Sequence, residues 1–163
     1  MEQAVITFRP IEEKDNIEIA ELIRSVFREF HIDRPGTVYF DPTTDDLYGL
    51  FRKEGSVYWI AESEGQIIGG CGLYPTPGLP EGCVELVKFY LMASSRGRGT
   101  GWNLMDKTIA SARTLGYRQL YLESLPELNK AISLYERAGF RKICQPLGCS
   151  GHFGCDIWMV MDL

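Results

Sequence analysis

Apolar and polar positions along the chain change their spacing several times, and each change marks an element. Ala4 to Arg9 alternates, with β-branched and aromatic residues, and stops at Pro10, which predicts a first strand. Asp15 followed by Glu18 reads as a capping box, and behind it Ile19, Ala20, Ile23, Val26, Phe27 and Phe30 recur at helical spacing to about His31. An irregular stretch follows. Thr43 or Thr44 then caps a short helix with Asp45 and Asp46 in its first turn and Leu47, Leu50 and Phe51 as its apolar side. Val57 to Glu62 and Gln66 to Tyr74 read as two strands joined by a tight turn, and a third begins near Cys83 after a proline- and glycine-rich loop.

The second half repeats the strand–helix theme. Leu104, Met105, Thr108, Ile109, Ala112 and Leu115 mark a helix stopped by Gly116, and Arg118 to Glu123 is a further strand. Pro126 suits the first turn of a last helix, whose apolar set Leu128, Ala131, Ile132, Tyr135 and Ala138 ends at Gly139. Phe140 to Gln145 and Asp156 to Asp162 close the chain as two strands around a glycine-rich loop. The order β-α-α-β-β-β-α-β-α-β-β predicts a mixed α/β domain with one strand–helix–strand crossover in its second half.

Composition narrows the classes. A chain of 163 residues without repeats or linkers is expected to form a single domain, residues 1–163, with one substantial core. Its net charge of −5 gives no general pull toward nucleic acid or anionic lipid. With no apolar run of the roughly 18 residues a membrane span needs and no signal-peptide core, no membrane association is expected and the cytoplasm is the expected compartment. Five scattered cysteines suit core thiols in a reducing environment better than a disulfide framework.

The stretch from Glu85 to Gly101 carries the clearest chemistry. A strand, Glu85-Leu86-Val87-Lys88-Phe89-Tyr90-Leu91-Met92, leaves through Ala93-Ser94-Ser95 into Arg96-Gly97-Arg98-Gly99-Thr100-Gly101, which opens a helix. Alternate glycines free backbone N–H groups to converge on one acceptor at the positive end of a helix dipole. That arrangement is a phosphate cradle, and two arginines on an otherwise acidic chain reinforce it.

The run from Leu91 to Gly101 fits the pattern Arg/Gln-x-x-Gly-x-Gly/Ala at a strand's end. About thirty residues later comes Ala131-Ile132-Ser133-Leu134-Tyr135-Glu136-Arg137-Ala138-Gly139-Phe140. Together, in this order and context, they resemble the GNAT superfamily of acetyl-CoA-dependent N-acetyltransferases. The resemblance implies a mostly antiparallel central sheet of about seven strands with about four helices, and acetyl-CoA as co-substrate. It also implies that the backbone of Phe89, Tyr90 and Leu91 pairs with the pantetheine arm beside a bulge. The amides of Arg96, Gly97, Arg98, Gly99, Thr100 and Gly101, with Trp102, would take the pyrophosphate. Tyr135 stands where many relatives carry the phenol that protonates the leaving thiolate, and Glu85 and Glu123 occupy two alternative positions of a general base. One departure is visible: Leu128 stands where many relatives have asparagine, and Asn129 follows one position late.

The chemistry asks for these residue types. A free amine near pKa 10 is mostly ammonium at neutral pH, so a carboxylate must remove its proton, directly or through water. Strand alternation puts Glu85 on one face with Val87, Phe89 and Leu91, where an idle charge would be costly. Glu123 serves equally as a base or as an ion-pair partner, and Tyr135 as a donor or as packing. Cys149-x-x-His152-x-x-Cys155 offers only three candidate ligands where structural zinc takes four, so no metal is expected. The resemblance implies that His152, with Phe30, His31, Asp33, Tyr39, Phe40, Asp41 and Tyr74, lies near the mouth of an acceptor pocket. The acidic and aromatic members there suit a cationic amine. Since nothing marks a long peptide groove, a small-molecule or amino-acid-like primary amine is the expected acceptor. The reading leaves room for a homodimer, and for a rival in which the protein is a non-catalytic acyl-CoA-binding sensor or partner module.

Overall fold

The computed structural model describes residues 4–163. One seven-stranded sheet runs through them in the order β1-β2-β3-β4-β5-β7-β6. Its strands are β1 (Ile6–Pro10), β2 (Val57–Ser63), β3 (Gln66–Tyr74), β4 (Cys83–Leu91), β5 (Gln119–Ser124), β6 (Arg141–Ile143) and β7 (Ile157–Asp162). Every neighbouring pair is antiparallel except β4 and β5, which are parallel across the predicted crossover. Four helices complete the fold: α1 (Asn16–Glu29), α2 (Leu47–Leu50), α3 (Thr100–Thr114) and α4 (Asn129–Ala138). The expected class, strand number and helix number are those observed.

The apolar stripes bury on the two faces of the sheet. Leu104, Met105 and Ile109 of α3 and Ile132 and Tyr135 of α4 pack with Val84 and Leu86 on one face. Ile19, Ile23, Val26 and Phe27 of α1 pack with Tyr58 and Ile60 on the other. Several boundaries differ from the sequence reading, each for a local reason. Pro10 ends β1 instead of stopping it one residue earlier, because β1 is an edge strand that can lack an N–H donor. The capping box spans Glu12 and Asp15, with Glu12 N–H donating to Asp15 Oδ2 at 2.8 Å. Glu18 turns away and accepts from Ile67 N–H at 2.9 Å. The short helix is capped by aspartates, not threonines: Asp41 accepts from Thr43 N–H and Asp46 from Gly49 N–H. Helix α4 begins at Asn129, so Pro126 lies in the preceding turn, and β6 is only three residues long.

The most consequential difference is a bulge in β4. Gly70 of β3 faces Tyr90 and Gly72 faces Val87, so Lys88 and Phe89 together stand opposite Cys71. Lys88 takes the left-handed conformation, φ 52°. The alternation expected along β4 therefore breaks at that residue. Val87 and Tyr90 pack on the α1 face, and Phe89 and Leu91 on the α3–α4 face. Glu85 accordingly does not share a face with Phe89 and Leu91. Tyr58 anchors the bulge from two strands away, its buried phenol donating to the Lys88 carbonyl at 2.8 Å. The ring can lie there because a Cβ at Gly70 or Gly72 would come within 2.5 or 2.6 Å of it.

Candidate active site

Strands β4 and β5 pair only from Cys83 to Glu85 against Gln119 to Tyr121. Beyond that point they separate, and the opening between them is the mouth of a cavity of about 670 Å³. Glu85, Phe89, Tyr90, Leu91, Glu123 and Tyr135 all line it, together with Arg96, Gly97, Gly99, Gly101 and Trp102. The splay and the glycine loop thus gather most of the sequence-selected residues in one place. Arg98 is exposed and Thr100 is buried at the start of α3; neither lines the cavity.

The glycine loop fits an anion by its backbone. Gly97 and Gly99 adopt φ 73° and 81°, and the space where a Cβ would stand at either is open. Gly99 precedes the 15-residue helix α3, and no side chain caps its first turn. The uncapped N–H groups and the helix dipole face the loop's concavity, which suits the pyrophosphate of coenzyme A. Arg96 plays a different part from the one its charge suggested. Its guanidinium donates to the Leu91 carbonyl at 2.9 and 3.1 Å, pairs with Glu29 of α1, and lies 5.2 Å above the Phe30 ring. It ties the loop to α1.

Deeper in, Glu85 is 3% exposed and accepts from the Thr76 hydroxyl at 2.6 Å. Burial pushes its carboxyl up to about 7, a shift that Glu123 reinforces and that Thr76, His152 and Lys88 oppose. Glu123, at the diverging end of β5, accepts from the Tyr121 phenol at 2.7 Å and from the Ser150 hydroxyl. Tyr135 sits between Phe89 and Phe140, at centroid distances of 5.9 and 5.8 Å, and burial raises its phenol well above the ordinary range. Asn129 lines the cavity despite its late position, as does Leu128.

The loop between β6 and β7 folds over this region. Gly154 N–H donates to the Gly36 carbonyl and Cys149 N–H to the Pro77 carbonyl, both at 2.8 Å. His152 reaches Asp41 with Nε2 to Oδ2 at 2.7 Å, while Thr43 donates its N–H and hydroxyl to Oδ1. Burial would raise the Asp41 carboxyl, but the His152 and Thr43 hydrogen bonds and the Lys88 charge hold it well below the usual range. Of the residues expected at the acceptor mouth, Phe30 and His152 line the cavity and Asp41 holds His152. Tyr74 instead packs on Phe51, and Phe40 is exposed. Cys149, which the zinc pattern grouped with His152, is an exposed free thiol.

Sequence reasoning passed over Lys88. Its side chain is 4% exposed, lines the cavity and lies 3.7 Å from Asp41 Oδ2. The signal was present: a lysine inside an apolar strand run raises the same question as Glu85 three residues earlier.

The model of the acetyltransferase (GNAT) family matches residues 17–140. The chain is 37% identical over 151 residues to YjgM of Escherichia coli strain K12, an uncharacterized N-acetyltransferase, covering 92% of this chain and 90% of that protein. Human N-acetyltransferase 8 is 29% identical over 127 residues, covering 74% of this chain and 56% of its own length. Among solved structures, a GNAT-family acetyltransferase of Staphylococcus aureus Mu50 superposes with a TM-score of 0.83 at 22% identity, covering 98% of this chain and 99% of that one. The PaiA N-acetyltransferase of Thermoplasma acidophilum, solved with coenzyme A, gives 0.76 at 16% identity over 98% and 99%.

Proposed function

The chain belongs to the acetyltransferase (GNAT) family, and we propose that it moves an acetyl group from acetyl-CoA to the primary amine of a small molecule by direct attack in a ternary complex. The observation that carries the reading is one cavity that joins an uncapped helix N-terminus and glycine loop to a buried carboxyl and a buried phenol. A phosphate-bearing donor fits the loop. The PaiA structure holds coenzyme A in the same fold, which supports that cofactor here. Bound acetyl-CoA supplies a thioester activated toward nucleophiles.

The protein's own groups then have separable tasks. The exposed backbone edge of Phe89 to Leu91, beyond the bulge, holds the donor's amide-bearing arm and presents N–H groups to the thioester oxygen as it gains charge. Glu85, poised near 7, removes a proton from the acceptor ammonium, with Glu123 as the second carboxylate able to do so through water. The new N–C bond forms as the C–S bond breaks. Of the two protons the ammonium gives up, one goes to solvent by way of the carboxylate and one is left for the thiol. Tyr135 keeps its proton through alkaline pH, so it donates a hydrogen bond to the departing sulfur, whose own pKa is about 8.5.

The experiment is a screen of amines, amino acids, polyamines and short peptides with acetyl-CoA, read as free thiol and as acetylated product by mass. Thiol release with at least one amine, abolished without it, is expected. Tight acetyl-CoA binding with no release for any amine would replace the enzyme by the sensor reading.

A further inference from the structure

Resting on that reading, we infer that the acceptor is a free α-amino acid with an apolar side chain, whose carboxylate is taken by Lys88. Lys88 is 6% exposed, yet among the described residues its Nζ makes no hydrogen bond of ordinary length; its carboxylate partner is Asp41 Oδ2 at 3.7 Å. Asp41 pairs with it only at that length and is shared with other donors. Its two oxygens already receive three donors, from His152 and Thr43. Asp41 and Glu85 together favour the charged ammonium, against burial, which pulls the lysine down. The result is a buried cation, lining the cavity, whose ion pair with Asp41 is long and which donates no side-chain hydrogen bond of ordinary length among the described residues. Such a group is costly unless a ligand supplies the acceptor.

The surrounding surface narrows the ligand. The bulge places Lys88 three residues from Glu85, and each bears on the other's charge. Both line the same cavity, so a carboxylate held at Lys88 keeps an amine two bonds away in the space that Glu85 also faces. The lining on the α1 face also offers an apolar surface, Phe27, Val38, Leu125 and Leu128, beside the polar His152. An α-amino acid with an apolar side chain matches all three features. A polyamine or simple alkylamine leaves Lys88 without an acceptor.

The test uses the full-length protein and matched sets: phenylalanine, leucine and methionine, each beside its primary amide and its decarboxylated amine. Thiol release gives kcat/KM for every member. The acids are expected to exceed their amides and amines by at least about tenfold, the worth of a hydrogen bond to a charged group. In Lys88→Met the ratio of acid to matched amine should fall about tenfold to a hundredfold, so the preference collapses. The ratio within one variant is unaffected by any change the substitution makes at Glu85. Amines or amides used as well as acids by the wild type would overturn the inference, as would a variant that slows all members alike. Turnover of other amines but none of the matched acids would also overturn it and leave the transferase reading standing. No turnover with any amine would sink both. If Lys88→Met does not fold, the wild-type ratios decide alone.

Discussion

Replacing Glu85 by glutamine should make the protein more stable and less active at the same pH. The carboxyl is buried and its pKa is raised from 4.5 to about 7. Below 4.5 the folded and unfolded chains both hold the proton, and burial of the neutral acid carries no ionic penalty. Between 4.5 and 7 the unfolded chain loses the proton while the folded one keeps it, so stability falls as pH rises, and above 7 the loss is complete. A difference of that size corresponds to about 3 kcal/mol at pH 8 and under about 1 kcal/mol at pH 5. Glutamine is never ionised and its side-chain oxygen can still accept from Thr76. The stabilisation by Glu85→Gln should therefore grow by about 2 to 3 kcal/mol between pH 5 and pH 8. Urea unfolding at the two pH values measures this, and at pH 8 the melting temperature should rise by roughly 6 to 12 °C.

The kinetic half of the prediction has the same origin. In the wild type kcat/KM should fall about tenfold per unit below pH 7, as the base is protonated. In Glu85→Gln that limb should vanish and kcat/KM should drop about a hundredfold or more. A stabilisation equal at pH 5 and pH 8 would refute the raised pKa. A limb near 7 that survives in the variant, with most of the activity, would refute Glu85 as the base and pass the task to Glu123.

Tyr135→Phe should lower kcat about tenfold with acetyl-CoA affinity unchanged within about twofold, since only the hydroxyl beside the sulfur is lost; steady-state kinetics and calorimetric titration separate the two. Gly99→Ala places a Cβ in open space but strains a residue at φ 81°, costing about 1 to 2 kcal/mol, and should weaken coenzyme A binding while leaving the amine's KM unchanged. Tyr58→Phe leaves the buried Lys88 carbonyl without its donor, so a loss of about 1 to 3 kcal/mol in urea unfolding is expected, together with slower turnover for every acceptor.

How much of this was visible in the sequence depends on the range of the interaction. The glycine loop, the helix it opens and the Tyr135 segment are contiguous patterns, and local periodicity placed them on the right elements. The acceptor side is assembled from distance. His152 and Asp41 were each named near the acceptor mouth, yet they meet across 111 positions, and no spacing rule predicts that. Arg96 was read by its charge as a phosphate ligand, whereas the Leu91 carbonyl and Glu29 claim it, because α1 packs against the end of β4. Asp15 stands at the N-cap of α1 as expected, but its capping box forms with Glu12 and not with Glu18, for a similar reason. Arg9 on β1 holds Asp15 at 2.8 and 2.9 Å, and this tertiary contact draws the box one turn earlier.

The bulge at Lys88 explains why one strand can serve both halves of the site. Under strict alternation Glu85, Val87, Phe89 and Leu91 would share a face, and the carboxylate would sit among the residues that hold the donor arm. The extra residue turns the strand over between Val87 and Phe89. Upstream, Glu85 and Val87 serve the α1 side; downstream, Phe89 and Leu91 pack toward α3 and α4. In the proposed function, base and donor edge thereby address one cavity from opposite sides, which lets an amine approach the face of a bound thioester carbonyl. The price is a left-handed lysine, a carbonyl that must be satisfied by Tyr58, and two glycines that must stay without side chains to admit its ring. Gly70→Ala tests that dependence. The methyl would meet the Tyr58 ring at 2.5 Å, forcing it off the Lys88 carbonyl, and should reproduce the kinetic defect of Tyr58→Phe. Adding Gly70→Ala to Tyr58→Phe should then slow turnover little further, because the anchor is already gone; fully additive kinetic losses would show that the ring and the bulge act independently.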